Sequence, residues 1–307
     1  MLEQEGKKKI TEIKTYPVAF LLEETQENLI INTNTPSETS KEQLINQAFK
    51  FHSQGNISEA ARYYKKFIDL GFQDQRVFLN YGVILKNLGK LYDAEKFYRK
   101  AIELNSDFAN AHYNLGKILE NLGNLQEAKN SYRKAIALTP NHAEAYSDLS
   151  KIELLNGDYQ YGLEHYEFRF KTKKPALTHG KTTITRKKKK RLKKGDKLLV
   201  IAEQGLGDTL QYMRYIPYLK KKGLNISFCA QEKLHSLIQA SGVEQTPLTP
   251  HKSILVSEGQ WLPLLSLPRC LKVSPNNPII TQPYIRSTDV LNRKWKNIFS
   301  TEKRPII

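Results

Sequence analysis

The chain repeats one pattern of small and aromatic residues at intervals of 34 positions. Glycine recurs at Gly55, Gly89, Gly123 and Gly157, and alanine recurs at Ala60, Ala94 and Ala128. Tyrosine recurs with the same spacing at Tyr64, Tyr98, Tyr132 and Tyr166. A unit of this length holds two short helices and a turn, and neighbouring units bury their apolar faces by stacking. The sequence therefore predicts a stack of helical hairpins, which offers a surface for holding another polypeptide.

This period and its pattern of residues resemble the tetratricopeptide (TPR) repeat. Four repeats are predicted, at residues 41–74, 75–108, 109–142 and 143–176, and the last is imperfect. In the third repeat we expect helices at Ala111–Asn121 and Leu125–Leu138. Asn124 is a predicted cap between them, and Pro140 is expected to end the second helix.

The repeated small residues have a packing role in this prediction. One position of the first helix carries Ala48, Gly82 and Gly116. Two helices approach closely only where side chains are small, so the first helix is expected to meet the second at this position. The repeated tyrosines are then expected to fill the gap between adjacent hairpins.

Charge divides the chain into two parts, although the net charge is +17 overall. Residues 1–170 contain 21 Lys and Arg against 23 Asp and Glu, a balance of −2, whereas residues 171–307 contain 27 against 8, a balance of +19. Residues 171–195 alone carry 12 basic side chains and no acidic one. We therefore predict a polar, largely disordered N-terminus at 1–40, a TPR domain at 41–170, a polybasic linker at 171–195 and an α/β domain at 196–307.

Several classes of protein are disfavoured by what the sequence contains. Cys229 and Cys270 are too few for a disulfide framework, and no Cys and His spacing is typical of a metal site. No apolar run approaches the roughly 20 residues of a membrane span. The sequence therefore predicts a cytoplasmic protein without a transmembrane segment, without a metal and without a cofactor.

After residue 195 the hydrophobic pattern changes to that of an α/β fold. An apolar run at 197–202 predicts a buried strand, followed by a glycine turn at 205–208 and a helix at 209–222. A second strand is expected at 225–230 and another helix at 232–240, which makes a βαβ unit of a doubly wound parallel sheet. Weaker patterns predict a strand at 253–256, a short helix at 261–267 and a last helix at 290–299.

The glycine turn is the sharpest local signal in this half. Gly205 and Gly207 allow a tight turn that a ligand can approach closely. No Walker sequence is present, and Leu210 stands where a dinucleotide fingerprint has its third glycine. For Asp208 two roles are open and compatible: a cap of the following helix, or a carboxylate that takes a proton from an acceptor hydroxyl.

Three runs of sequence together resemble a bacterial family in which TPR repeats are fused to a glycosyltransferase domain. They are residues 203–217 (EQGLGDTLQYMRYIP), 261–268 (WLPLLSLP) and 166–170 (YEFRF). The resemblance is to O-linked N-acetylglucosamine transferases and heptosyltransferases, and it implies a GT-B fold with two Rossmann-like lobes. By motif position it makes Asp208 the base, with Gly205, Gly207, Thr209 and Gln211 binding substrate.

The same resemblance implies that only one of the two lobes is present. The first lobe serves the acceptor and the second binds the nucleotide-sugar. Because the second lobe is expected to begin where these 307 residues end, transfer would need a nucleotide-sugar lobe supplied by a partner chain.

A row of amides on the repeats is a second candidate site. One position of the first helix carries Asn46, Asn80, Asn114 and then Asp148, again 34 apart. In the sugar-transferase relatives, such a row lines the concave face and grips a peptide backbone, because a carboxamide both donates and accepts hydrogen bonds. The alternative is that asparagine is tolerated beside the packing face of the helix.

The basic run Arg186–Lys194 adds a third alternative. It can attract nucleic acid or anionic lipid, or it can serve as a solvated tether. No aromatic residue lies within 171–195 to stack on bases. The sequence thus leaves three functions open: a TPR module that binds a protein or peptide and carries an incomplete glycosyltransferase-like lobe, a glycosyltransferase completed by a partner chain, and a polyanion-binding adaptor.

Overall fold

A computed structural model describes residues 40–187, 191–203, 205–280 and 282–301. The predicted disorder of residues 1–39 lies outside these ranges. The chain forms two compact units that meet between Thr139 and Pro140. The fourth hairpin lies in the same compact unit as the α/β part of the chain. The boundary that the sequence predicts after residue 170 stays a prediction.

The described part of the first unit, residues 40–139, consists of three helical hairpins. Their helices are α1 (Lys41–Ser53), α2 (Ile57–Asp69), α3 (Gln75–Asn87), α4 (Leu91–Leu104), α5 (Ala109–Asn121) and α6 (Leu125–Leu138). The second helix of the third repeat has the predicted bounds, and the first begins two residues earlier than predicted. Asn124 is the N-cap residue of α6, but its side chain makes no capping hydrogen bond.

The repeated glycines end the first helix of each hairpin. Gly55 and Gly89 have φ angles of 75° and 76°, in the left-handed region that favours glycine. The amide of Gly89 donates to the carbonyl of Lys86, and the amide of Lys90 donates to the carbonyl of Leu85. These two bonds form a Schellman motif and turn the chain back into the second helix.

The repeated tyrosines pack on the small residues of their own hairpins. A Cβ added to Gly82 would lie 2.7 Å from Cε1 of Tyr98, and one added to Gly116 would lie 2.6 Å from Cε1 of Tyr132. Both tyrosine side chains are fully buried. The tyrosines therefore fill the space within a hairpin. Tyr64 also lies close to the next hairpin, because the centroid of its ring is 6.5 Å from that of Tyr81.

The second unit begins with a fourth hairpin and continues as an α/β fold. Its helices are α7 (Ala143–Leu155), α8 (Tyr159–Tyr166), α9 (Leu206–Tyr212), α10 (Tyr215–Lys221), α11 (His235–Ala240), α12 (Pro250–Ser253), α13 (Leu267–Leu271) and α14 (Asp289–Thr301). Its strands are β1 (Lys197–Ile201), β2 (Asn225–Cys229) and β3 (Gln260–Pro263). A short 3₁₀ helix at Glu167–Phe170 follows α8 directly.

The three strands form a parallel sheet in the order β2–β1–β3. Val200 in the central strand lies opposite Phe228 in β2 and Leu262 in β3. These three side chains are buried in the main core of the unit, whereas Leu199 and Ile201 pack in a smaller cluster. The central strand is therefore covered on both faces, as its continuous apolar sequence predicts.

Two elements of the α/β part differ from the sequence prediction. The third strand lies at Gln260–Pro263, where a helix is predicted. Residues 253–256, where a strand is predicted, contain the end of the short helix α12 and the turn that follows it. The predicted helix at 209–222 is two helices, α9 and α10. Pro217 lacks the amide hydrogen that would bond to the carbonyl of Met213, so the helix is interrupted one turn earlier, at residues 213–214.

The segment 171–195 is packed in its described part, which differs from the extended linker predicted from its charge. Trp261 in β3 donates its amide to the carbonyl of Thr185 and accepts from the amide of Lys187. Arg186 pairs with Glu167 at 2.7 Å, and Lys187 pairs with Asp196 at 3.1 Å. Acidic partners thus offset the repulsion between neighbouring basic side chains. Residues 188–190 lie outside the described ranges, and polyanion binding by Arg186–Lys194 stays a prediction.

None of the helices in the described ranges combines the length and the apolar character that crossing a bilayer requires.

Candidate functional site

The first helices of the three hairpins in the first unit carry the predicted amides. Asn46 on α1 is exposed, while Asn80 on α3 and Asn114 on α5 are half-buried. Asn80 shares a side-chain hydrogen bond with Tyr64, and Nδ2 of Asn114 donates to the carbonyl of Asn110 at 2.9 Å. A carboxamide has two donors and an oxygen with two lone pairs, so one such bond leaves further capacity for a ligand.

Asp148, the fourth predicted member of this row, lies on α7 in the second unit. Its side chain is buried, and its carboxylate accepts a hydrogen bond from Nζ of Lys151 at 2.8 Å. At this position the asparagine of the other repeats is thus replaced by an aspartate, whose carboxylate is already paired with Lys151. The row that we call the amide row below consists of Asn46, Asn80 and Asn114.

Lys86, which the sequence analysis does not single out, lies on α3, six positions after Asn80 of the amide row. It is half-buried on α3, and α3 contacts α5. Burial lowers the pKa of its ammonium group, and the charge of Lys117 on α5 lowers it further. Among the described residues no acidic side chain pairs with Lys86. A partly desolvated cation therefore lies between two of the first helices without a counter-charge.

The position of Lys86 is polar in each of the three hairpins. His52 and Glu120 stand 34 residues before and after it. The Tyr64 hydroxyl lies 3.0 Å from Nδ1 of His52, and the Tyr132 hydroxyl donates to Glu120 at 2.6 Å. In the hairpin of Lys86, the hydroxyl of Tyr98 is buried without any hydrogen-bond partner among the described residues. The second hairpin thus combines a cation without a counter-charge and an unsatisfied hydroxyl.

In the second unit, the three runs that carry the family resemblance meet in one buried network. Arg169 follows α8, Glu203 follows β1 and Ser266 follows β3. Arg169 donates to both carboxylate oxygens of Glu203, at 2.7 and 3.0 Å, and to Oγ of Ser266 at 3.2 Å. The Arg169 and Glu203 side chains are 6% and 7% exposed. Because both acceptors follow the carboxyl ends of parallel strands, Arg169 holds these two strand ends together.

Aromatic rings and a second carboxylate complete the surroundings of Arg169. Its guanidinium lies 4.2 Å from the ring centroids of both Tyr166 and Phe170. Glu167 accepts hydrogen bonds from Arg169 at 3.1 Å and from Ser266 at 2.6 Å. Burial raises the pKa of Glu167, but Arg169, the Ser266 hydroxyl and further arginines outweigh this effect, so the pKa of Glu167 is lowered and its carboxyl group is ionised near neutral pH.

Asp208 lies in the first turn of α9, and its predicted capping role does not hold. The helix begins at Leu206 with Gly205 as its N-cap residue, so Asp208 is the third residue of the helix. A Cβ added to Gly205 would lie against the Asp208 carboxylate, so replacing this glycine would require the Asp208 side chain to move. Asp208 is exposed. A carboxylate in the first turn is favourable for the helix dipole and accessible to a ligand.

The other predicted substrate-binding residues have different surroundings. Thr209 is fully buried, and its hydroxyl bonds the Gly205 carbonyl at 3.0 Å and Oε1 of Gln231 at 2.9 Å. Nε2 of Gln231 in turn donates to the Glu203 carbonyl at 2.6 Å. Thr209 therefore shapes the turn from inside, whereas Gly207 and Gln211 are exposed. The roles of all four residues in binding substrate stay predictions.

Comparison with protein families identifies the repeats. Residues 109–142 match the model described as tetratricopeptide repeat, and residues 82–123 match the model described as TPR repeat. Neither model reaches the α/β part of the chain. A comparison with curated protein sequences gives no match.

Solved TPR structures resemble part of this chain. MamA is 22% identical over 42% of this chain and 76% of its own, with a TM-score of 0.40. YrrB, described as a TPR protein with an unusual peptide-binding site, is 20% identical over 43% of this chain and 69% of its own, with a TM-score of 0.39. The first TPR of Spaghetti (RPAP3), bound to the HSP90 peptide SRMEEVD, is 28% identical over 39% and 95%, with a TM-score of 0.36. From the family models and the helical hairpins together, we conclude that residues 82–142 of this chain are tetratricopeptide repeats.

Proposed function

We propose that the first unit binds an extended segment of another protein along α1, α3 and α5, and that this segment brings a carboxylate to Lys86. The observation that carries the proposal is the half-buried ammonium of Lys86 without an acidic partner among the described residues. A carboxylate bound there would compensate a partly desolvated charge, which strengthens the interaction. The amide row adds hydrogen bonds that any peptide backbone can satisfy.

An affinity measurement tests this function. The probe is a fluorescent decapeptide of alternating Asp and Gly, and the matched peptide has Asn in place of Asp. We expect Lys86→Met to weaken binding of the acidic peptide about tenfold, the loss of one charge-assisted hydrogen bond, and to leave the amide peptide unaffected. Asn80→Ala with Asn114→Ala should weaken both peptides.

The control is Lys129→Met, which removes a lysine that is also half-buried from the second helix of the third hairpin. Equal losses of affinity for the acidic peptide in Lys86→Met and Lys129→Met would mean that Lys86 contributes only to the overall charge. That result would contradict the proposed site. Failure of the acidic peptide to bind the wild-type chain at all would contradict the proposed function itself.

We propose, as a second function, that residues 196–307 form the acceptor lobe of a glycosyltransferase, with Asp208 as the base. The support is the junction of the three resemblance runs at the carboxyl ends of β1 and β3, where open α/β sheets bind ligands. The exposed carboxylate of Asp208 lies in the first turn of α9, the helix that follows β1. The nucleotide-sugar lobe would come from a partner chain.

Transfer assays with a panel of nucleotide-sugars, in extracts that supply the partner chain, test this second function. Asp208→Asn keeps the size of the side chain and removes the base, so we expect it to abolish any transfer. Transfer that survives Asp208→Asn would exclude Asp208 as the base. The control is Asp289→Asn, which removes an exposed carboxylate from the first turn of α14.

A further inference from the structure

Helix α14 is exposed along its whole described surface. Every residue from 289 to 300 is exposed. A helix of 13 residues that stands alone in water is marginally stable, because packing normally supplies most of the stability of a helix. An exposed helix of this length therefore gains stability from any surface that covers one of its faces.

One face of α14 is apolar. At 100° per residue, Leu291, Trp295 and Phe299 fall within an arc of about 80°, and Ile298 borders the same arc. The side chains of Leu291, Trp295 and Phe299 are 45%, 49% and 48% exposed. The rings of Trp295 and Phe299 stack at 5.5 Å. We call Leu291, Trp295 and Phe299 the apolar stripe.

The charges on α14 indicate which surface fits this stripe. The helix carries Arg293, Lys294 and Lys296, and its single acidic residue is Asp289. On the helical wheel Lys294 and Lys296 lie on opposite sides of the stripe, each about a quarter turn from its centre. A second copy of the helix would bring the same positive charges and be repelled. Lysines that flank an apolar face can extend their ammonium groups toward phosphates while the stripe is buried.

We propose that α14 binds the surface of an anionic lipid bilayer, lying in the plane of the interface with its apolar stripe among the acyl chains. Trp295 is suited to this position, because indole rings favour the boundary between headgroups and hydrocarbon. The basic side chains face the anionic headgroups. A narrow apolar face beside a basic polar face is typical of helices that lie on a membrane rather than cross it.

Tryptophan fluorescence and vesicle sedimentation test this proposal on the full chain. The chain contains two tryptophans, Trp261 and Trp295. We expect vesicles of phosphatidylcholine mixed with phosphatidylglycerol to shift the emission to shorter wavelength and to sediment the protein. Vesicles of phosphatidylcholine alone should do neither. The triple variant Leu291→Ser, Trp295→Ser, Phe299→Ser should bind anionic vesicles about tenfold more weakly.

Two controls separate the stripe from other causes of binding. Val290→Ser removes an apolar residue of the same helix that is 68% exposed but lies outside the stripe, and it should bind as the wild type does. Lys188→Gln, Lys189→Gln and Lys190→Gln together test whether the polybasic segment attracts anionic vesicles by charge alone; this variant should keep the shift in emission. Because the stripe residues are exposed, their replacement should leave thermal unfolding of the second unit unchanged.

Three outcomes would overturn the proposal: binding of the stripe variant as tight as that of the wild type, equal binding to neutral and anionic vesicles, or a dimer that depends on the stripe with no binding to vesicles. The last outcome would assign the stripe to a second copy of the chain.

Discussion

Replacing Arg169 by alanine is expected to destabilise the second unit by about 3–5 kcal/mol, because a buried carboxylate is left without its counter-charge. Glu203 is 7% exposed and receives two hydrogen bonds from Arg169. The substitution also removes the cation from between Tyr166 and Phe170. The measurement is urea unfolding followed by tryptophan fluorescence, which reports on the second unit since both tryptophans follow residue 139.

The control for this prediction is Arg62→Ala in the first unit. Arg62 pairs with Glu59 at 2.7 Å, but their side chains are 64% and 36% exposed, so the loss should stay below about 1 kcal/mol. The double variant Arg169→Leu, Glu203→Leu should recover much of the stability, because it leaves no unpaired charge inside. A fluorescence midpoint that does not move in Arg169→Ala would show that the network contributes little to this unit.

The helical hairpins could be predicted closely because their packing is local in sequence. Each repeat places a small residue on the first helix and a tyrosine on the second, 16 positions later, as in Gly82 and Tyr98. The glycine that follows the first helix adopts a positive φ angle, which few other residues tolerate. The repeat period, the glycine turn and the contact between the small residue and the tyrosine all lie within 34 consecutive residues. The sequence pattern of one repeat therefore predicts all three.

The sheet could be predicted only in part. The strands β1 and β2 are apolar runs bounded by turn residues, and they lie where the sequence places them. The third strand is too short to show a period, and the run Trp261–Leu267 continues into a 3₁₀ helix and α13. Its strand character comes from pairing with the central strand and with residues 185–187 of the basic segment. The local sequence of this segment does not distinguish a strand from a helix, and its contacts with neighbouring strands determine that it is a strand.

The chemistry at the carboxyl ends of the strands shows a similar limit. The runs that contain Arg169, Glu203 and Ser266 can be recognised in the sequence, but their pairing cannot. Arg169 is 34 residues from Glu203 and 97 residues from Ser266. The one local sign of this network is the run YEFRF, in which an arginine stands between aromatic residues. Such an arginine is expected to be buried and therefore to need an acidic partner. Lys86 has no comparable signal, because its importance comes from the absence of an acidic partner in the described structure.

The second large effect is expected in the first unit, at the contact between Gly116 and Tyr132. Tyr132 is fully buried and donates a hydrogen bond to Glu120. Tyr132→Ala should lower the free energy of unfolding by about 3–5 kcal/mol, since it leaves a cavity between α5 and α6. The measurement is urea unfolding followed by far-UV circular dichroism, which reports mainly on the helices.

A double-mutant cycle makes this prediction specific. In the wild-type chain, Gly116→Ala should lower the free energy of unfolding by about 1–3 kcal/mol, because the added Cβ would lie 2.6 Å from the Tyr132 ring. In the Tyr132→Ala background the same change should be stabilising, by up to about 1 kcal/mol, because alanine favours the helix and fills part of the cavity. Gly82→Ala is the matched control, since its Cβ would meet Tyr98 instead and Tyr132→Ala should not relieve it. Equal costs for Gly116→Ala in both backgrounds would mean that this ring does not set the spacing of the two helices.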